Sequence, residues 1–125
     1  MKTYRFEIDP VPKPRMTQSD KWKKRKTVID YWEYKKLIRL RANLQGLEFL
    51  PIEINRIDFF LPMPKTWPKK KKIEMNGKLH TQRPDLDNLL KGLQDALCTE
   101  DSHIAEINGL SKSWSFGPLI IIEIA

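Results

Sequence analysis

Leu119-Ile120-Ile121-Ile122-Glu123-Ile124 is an almost unbroken apolar run. It is short enough for a strand, and its β-branched residues suit a pleated surface covered on both sides. It therefore predicts a central strand, and with it a fold built on a sheet. Gly117-Pro118 marks a turn just before it, and 104–114 reads as the preceding strand. At the start of the chain Tyr4, Phe6 and Ile8 alternate with Arg5 and Glu7, the period of a half-buried strand, which Pro10, Pro12 and Pro14 bring to an end. Within 52–61, Ile52 and Ile54 share one phase while Ile57, Phe59 and Leu61 share the other. That change of phase implies a bulge or a strand covered on both faces.

Helical periods fill the spaces between these strands. Asp30 and Glu33 have capping-box spacing, Tyr34, Leu37, Ile38, Arg41 and Leu44 recur behind them, and Gly46 offers a stop. The expected helix is 31–44. Pro84 suits a helix start, and Leu86, Leu89, Leu90, Leu93 and Leu97 form an apolar stripe over 85–97. The order is β-α-β-α-β-β, an α+β fold in which both helices pack on a mixed sheet. Two basic loops are expected, at about 10–28 and 62–83. In the second, Pro62, Pro64 and Pro68 argue against regular structure, and Lys69-Lys70-Lys71-Lys72 repel one another.

At 125 residues and 14.8 kDa the chain is expected to be one domain. Twenty-three Lys and Arg against 16 Asp and Glu leave +7, a balance that suits a polyanionic partner. One cysteine, Cys98, excludes an intramolecular disulfide and a cysteine-rich zinc site, and fits a reducing compartment. Its place behind an apolar helical stretch points to a structural thiol. No apolar run approaches the roughly 20 residues that span a bilayer. Met1-Lys2-Thr3-Tyr4-Arg5 leads into a strand pattern and not a signal-peptide core, so the expected location is cytoplasmic, with no membrane partner.

The chemistry gathers around the second helix. Asp85 lies at its entry, Asp87, Lys91 and Asp95 follow at i, i+4 and i+8, and Asn88 adjoins them. Singly, these are ordinary residues. Aspartates favour the positive end of a helix, and an i,i+4 Asp–Lys pair contributes only a few tenths of a kcal/mol. Together they suggest more, because Asp85 precedes the helical turn and can aim at the same point as Asp87. Glu100-Asp101 lies just past the helix, in a turn that can fold back towards its start. Converging carboxylates repel unless a cation neutralises them, and oxygen ligands without Cys or His select Mg²⁺, with Mn²⁺ as a substitute. An acidic knot in a basic protein is what a metal-dependent nuclease needs: the metal activates water, and Lys91 offers a positive charge to the crowded phosphate. Lys13, Arg15, Lys69, Lys70, Lys71 and Lys72 would contact the DNA backbone. Trp22 and Trp67 either stack on unpaired bases or anchor their loops. His103 lies two residues from Asp101, but carboxylates suffice for Mg²⁺. His80, in a basic loop, has no assigned role beyond a phosphate contact.

The run Arg83-Pro84-Asp85-Leu86-Asp87-Asn88-Leu89-Leu90-Lys91, then Asp95-Ala96-Leu97 and Glu100-Asp101, closely resembles the RusA-type Holliday junction resolvases of phages and prophages. Pro12-Lys13-Pro14-Arg15 and the closing apolar strand also look like that family. The resemblance implies a homodimer that binds branched DNA, above all four-way junctions, and nicks two opposed strands symmetrically with Mg²⁺, in a bacterial cell or phage-infected host. It implies Asp85, Asp87 and Asp101 as catalytic metal ligands and Lys91 as the essential lysine; Asp95 matches an acidic position in the family's helix and is assigned no metal. The connection Cys98-Thr99 is shorter than in some members, which bears on the reach of Asp101. A homodimer also follows from symmetry, since one metal site per chain cuts two opposed strands together only as a C2 pair. An edge strand or the aromatic first helix (Tyr31, Trp32, Tyr34) would supply the interface. Two alternatives stand beside this reading: a nuclease for other branched DNA, and a non-catalytic basic DNA-binding module.

Overall fold

The apolar run is a central strand. In the computed structural model, which describes residues 1–15, 25–98 and 100–125 (of Asp101, the backbone alone), four strands form one mixed sheet. They are β1 (Lys2–Phe6), β2 (Glu53–Pro62), β3 (Glu106–Ser115) and β4 (Leu119–Ile124), in the order β1-β4-β2-β3. β4 runs antiparallel to both β1 and β2, and β2 runs parallel to β3. Rows of side chains cross the strands: Tyr4, Ile122 and Ile57 align, as do Phe6, Ile120 and Phe59, and none is more than 6% exposed. Burying each such aliphatic or aromatic group stabilises the sheet by about 1.5–3 kcal/mol relative to leaving it in water.

The change of phase in β2 comes without a bulge. Ile57, Phe59 and Leu61 line a buried face, while the opposite face is buried only at Ile54 and leaves Arg56 exposed and Asp58 and Phe60 half-buried. Ile54 and Ile57, of opposite parity, are both fully buried. The register to β3 keeps one offset from Glu53↔Glu106 to Pro62↔Ser115, so no bulge residue is inserted.

The chain divides into two compact units. The first comprises Met1–Pro10, Pro51–Arg83 and Ile104–Ala125, and holds the sheet. It also holds a helix that the sequence reading missed, α2 (Lys69–Met75), within the expected loop 62–83. The prolines end just before it, with Pro68 at its N-cap, and lysine is a good helix former once its charges point into water. Lys71 lies over the Trp67 ring at 4.3 Å, and Trp67 packs on Trp114 at 4.7 Å. After α2 the chain turns through Gly77 (φ +83°), a left-handed backbone that favours glycine, and lies along the outer edge of β3. There Gly77 N–H donates to Trp114 O, Trp114 N–H to Lys78 O, and His80 N–H to Lys112 O. This covers an edge that would otherwise be open to another strand.

The second unit comprises Val11–Leu50 and Pro84–His103. It is built on α1 (Lys26–Leu44) and α3 (Leu86–Leu97), with a short 3₁₀ turn at Asp101–His103. The helix expected over 31–44 starts earlier, so Lys26–Val28 leave the loop 10–28, and residues 16–24 of that loop, Trp22 included, lie outside the described residues. Asp30 is inside the helix, and Arg25 occupies the N-cap without a side-chain cap bond. The stripe α1 buries is Val28, Tyr31, Tyr34, Ile38 and Ala42, while Leu44 is 75% exposed. A helix with apolar residues on several sides does not reveal its inner face by period alone. Its end is as expected: Gly46 adopts φ +84°, Leu47 N–H reaches Ala42 O and Gly46 N–H reaches Asn43 O, a Schellman stop. α3 buries Leu89, Gly92, Leu93, Ala96 and Leu97. Among the described residues no helix is long and apolar enough to cross a membrane.

Candidate active site

The N-terminus of α3 is laid out as the sequence implies. Asp85 is the N-cap, extended at φ −69° and ψ 142°, and its carboxylate makes no cap hydrogen bond. Asp87 sits in the first turn. Its side chain is 70% exposed, with Lys91 Nζ 3.9 Å away at 52% exposure. A contact so long and so wet adds little to stability, so neither group is committed to the fold. Asp85 is exposed as well. Two exposed hard-oxygen donors, two residues apart at the positive end of a helix, fit a divalent cation.

The third expected ligand, Asp101, lies in the 3₁₀ turn, and its side chain lies outside the described residues, as does Thr99. His103 closes that turn, exposed, with its N–H donating to Glu100 O. Among the described residues, no three His, Cys, Asp or Glu gather as a metal cluster. Cys98, half-buried, is the C-cap of α3, and its N–H donates to Gln94 O.

Asp95 has a different environment from Asp87, although the two share a helical spacing. Eight residues carry it about 80° round the helix, enough to turn it from solvent towards α1. Its Oδ2 accepts the Tyr31 hydroxyl at 2.6 Å and pairs with Lys13 Nζ at 3.1 Å. Burial pushes the Asp95 carboxyl up, but the Tyr31 hydroxyl, Lys13 and the charge of Lys35 outweigh it and hold the group below the ordinary carboxylate range. Its Oδ2 is thus committed to the contact between α1, α3 and Lys13, unlike the exposed Asp87.

Tyr31 is the partner that sequence reasoning missed. Tyr31 is fully buried and Tyr34 only 4% exposed, so neither belongs to a free dimerisation face. Gly92 was a second missed signal. Glycine inside a helix costs about 1 kcal/mol against alanine, so its presence marks a close approach. A Cβ at Gly92 would meet Val11 O at 2.8 Å.

The basic residues divide between the units. Lys13 and Arg15 belong to the helical unit, and Arg15 O accepts a bond from Arg25. Lys69, Lys70, Lys71 and Lys72 form α2 in the sheet unit, largely exposed. Trp67, ringed by Trp114 and Lys71, serves as a loop anchor. His80 is 5% exposed and stacks on Trp114 at 4.0 Å. Burial, and then the charge of Lys112, push it below the usual histidine value.

Comparison with known proteins bears directly on this arrangement. A family model described as endodeoxyribonuclease RusA matches residues 7–125, nearly the whole chain, a range that includes Asp85, Asp87 and Asp95. No curated protein matches it.

Proposed function

Because the chain belongs to the RusA endodeoxyribonuclease family, whose members act on branched DNA junctions and generally depend on divalent metal, we propose that it resolves four-way junctions by paired symmetric nicks, as a homodimer using Mg²⁺ or Mn²⁺. The observation that carries this reading is the pair Asp85 and Asp87, exposed and uncommitted at the start of α3 with Lys91 one turn on. Asp85, Asp87 and Asp101 are the residues assigned to hold the ion. A divalent ion held there would supply an activated water and a charge to polarise a phosphoryl oxygen.

The chain's own groups then divide the remaining work. Lys91 is held only loosely by Asp87, so its ammonium is available to the phosphate, where charge builds as the phosphodiester is attacked. Arg15 and the lysines of α2 hold the DNA backbone without reading sequence, which suits a substrate known by its branching. Two such sites related by a two-fold axis match the approximate symmetry of a four-way junction.

The test is incubation of the protein with synthetic four-way, three-way and linear duplex DNA, with and without Mg²⁺. Symmetric nicks in the four-way junction alone, and only with the ion, are expected. Equal cutting of three-way DNA would make the protein a nuclease for branched DNA at large, and junction binding without cutting in either ion would make it a DNA-binding module.

A further inference from the structure

The segment Val11–Arg15 carries no regular structure, yet it is fastened to α3 at three points. Lys13 N–H donates to Asn88 O at 3.0 Å. Lys13 Nζ pairs with Asp95 Oδ2 at 3.1 Å, and the same oxygen takes the Tyr31 hydroxyl at 2.6 Å. Val11 O lies so near the helix that only a glycine at position 92 admits it. Asn88, Gly92 and Asp95 are spaced i, i+4 and i+7, one line along α3, and Asn88 directly follows Asp87. The strap therefore runs along the helix that carries the exposed aspartates.

The ammonium of Lys13 is spent on this fastening. A half-buried ion pair adds little net stability, because desolvation offsets most of the attraction. Its product is geometry: an irregular basic segment held at a fixed place. We propose that Asp95 is a positioning residue which, with Tyr31, clamps Lys13 and so holds the Val11–Arg15 strap on α3, presenting Arg15 to DNA engaged at Asp85 and Asp87. Lys13 is then an anchor rather than a phosphate contact. The role rests on the reading of Asp85 and Asp87 as the cleavage site.

Its test uses Asp95→Asn, Lys13→Gln, the double variant and Lys13→Arg, which keeps the charge. Two measurements are made on each: amide hydrogen exchange at Lys13, with Leu89 and Leu93 as internal references, and cleavage of a synthetic four-way junction at saturating protein with Mg²⁺. Asp95→Asn and Lys13→Gln are each expected to lose protection at Lys13 but not at Leu89 or Leu93, and to cut about tenfold more slowly through lost alignment. The double variant is expected to be no slower than either, and Lys13→Arg to cut near the wild-type rate. Wild-type cutting by variants whose Lys13 amide has lost protection would overturn the proposal. So would slow cutting by Asp95→Asn alone, in step with a lowered melting temperature. Exchange at Lys13 needs no activity, so a wild-type protein that cuts no junction would overturn the cleavage reading while leaving the clamp itself measurable.

Discussion

Each carboxylate of α3 takes its role from what it touches. Among the described residues Asp87 meets only a distant Lys91, and Asp85 makes no cap hydrogen bond, so both carboxylates are open to a ligand. Asp95 has a hydroxyl and an ammonium within bonding distance and is fixed. The same distinction separates Lys91 from Lys13. Replacing Lys91 by Met is expected to change unfolding free energy by only a few tenths of a kcal/mol, because an exposed i,i+4 pair is worth no more. It is expected to slow junction cutting about 10²-fold through lost charge stabilisation. Urea denaturation and single-turnover cleavage, measured side by side, check both halves. Asp85, Asp87 and Lys91 were legible in the sequence because helix entry and i,i+4 spacing are local. Tyr31 as partner to Asp95 was not, since the two lie 64 residues apart and only packing of α1 on α3 joins them.

Elements with a single period were readable, and those with mixed signals were not. β4 and α3 lie where their apolar patterns place them, and Gly46 ends α1 as its backbone freedom suggests. α2 was hidden by the prolines ahead of it and by the assumption that adjacent lysines prevent a helix, although a helix spreads their side chains round its axis. The true start of α1 was hidden because the inward residue Val28 precedes the capping-box pattern at Asp30. Two glycines test the element boundaries. Gly46→Ala places a Cβ at φ +84° and is expected to cost about 1 kcal/mol. Gly92→Ala gains helix propensity of about 1 kcal/mol but drives a Cβ to 2.8 Å from backbone that must then shift. Overpacking against backbone costs about 1–3 kcal/mol, so a net loss of stability with a loosened strap is expected from urea denaturation and exchange at Lys13. A more stable Gly92→Ala protein would contradict the close approach of Val11.

At the scale of the whole molecule, charge and pH are the levers. A chain of +7 that binds DNA through phosphates loses affinity steeply as salt rises. His80 sets a pH limit on the sheet unit. Burial against Trp114, with Lys112 nearby, favours its neutral form, so the folded protein binds fewer protons than the unfolded chain. The stability that follows is complete above the ordinary histidine value of 6.5 and is lost as pH falls below it. The melting temperature is expected to drop between about pH 7.5 and pH 5.5 by more in the wild type than in His80→Phe, which keeps a ring on Trp114 and cannot titrate. The proposed function rests on the exposed pair at the start of α3, and Asp87→Asn probes it with shape kept and charge removed. Measured on a synthetic four-way junction in Mg²⁺, the variant is expected to bind at least as tightly as wild type and to make no nicks. Unchanged Mg²⁺-dependent cutting by Asp87→Asn would contradict the assignment of this site.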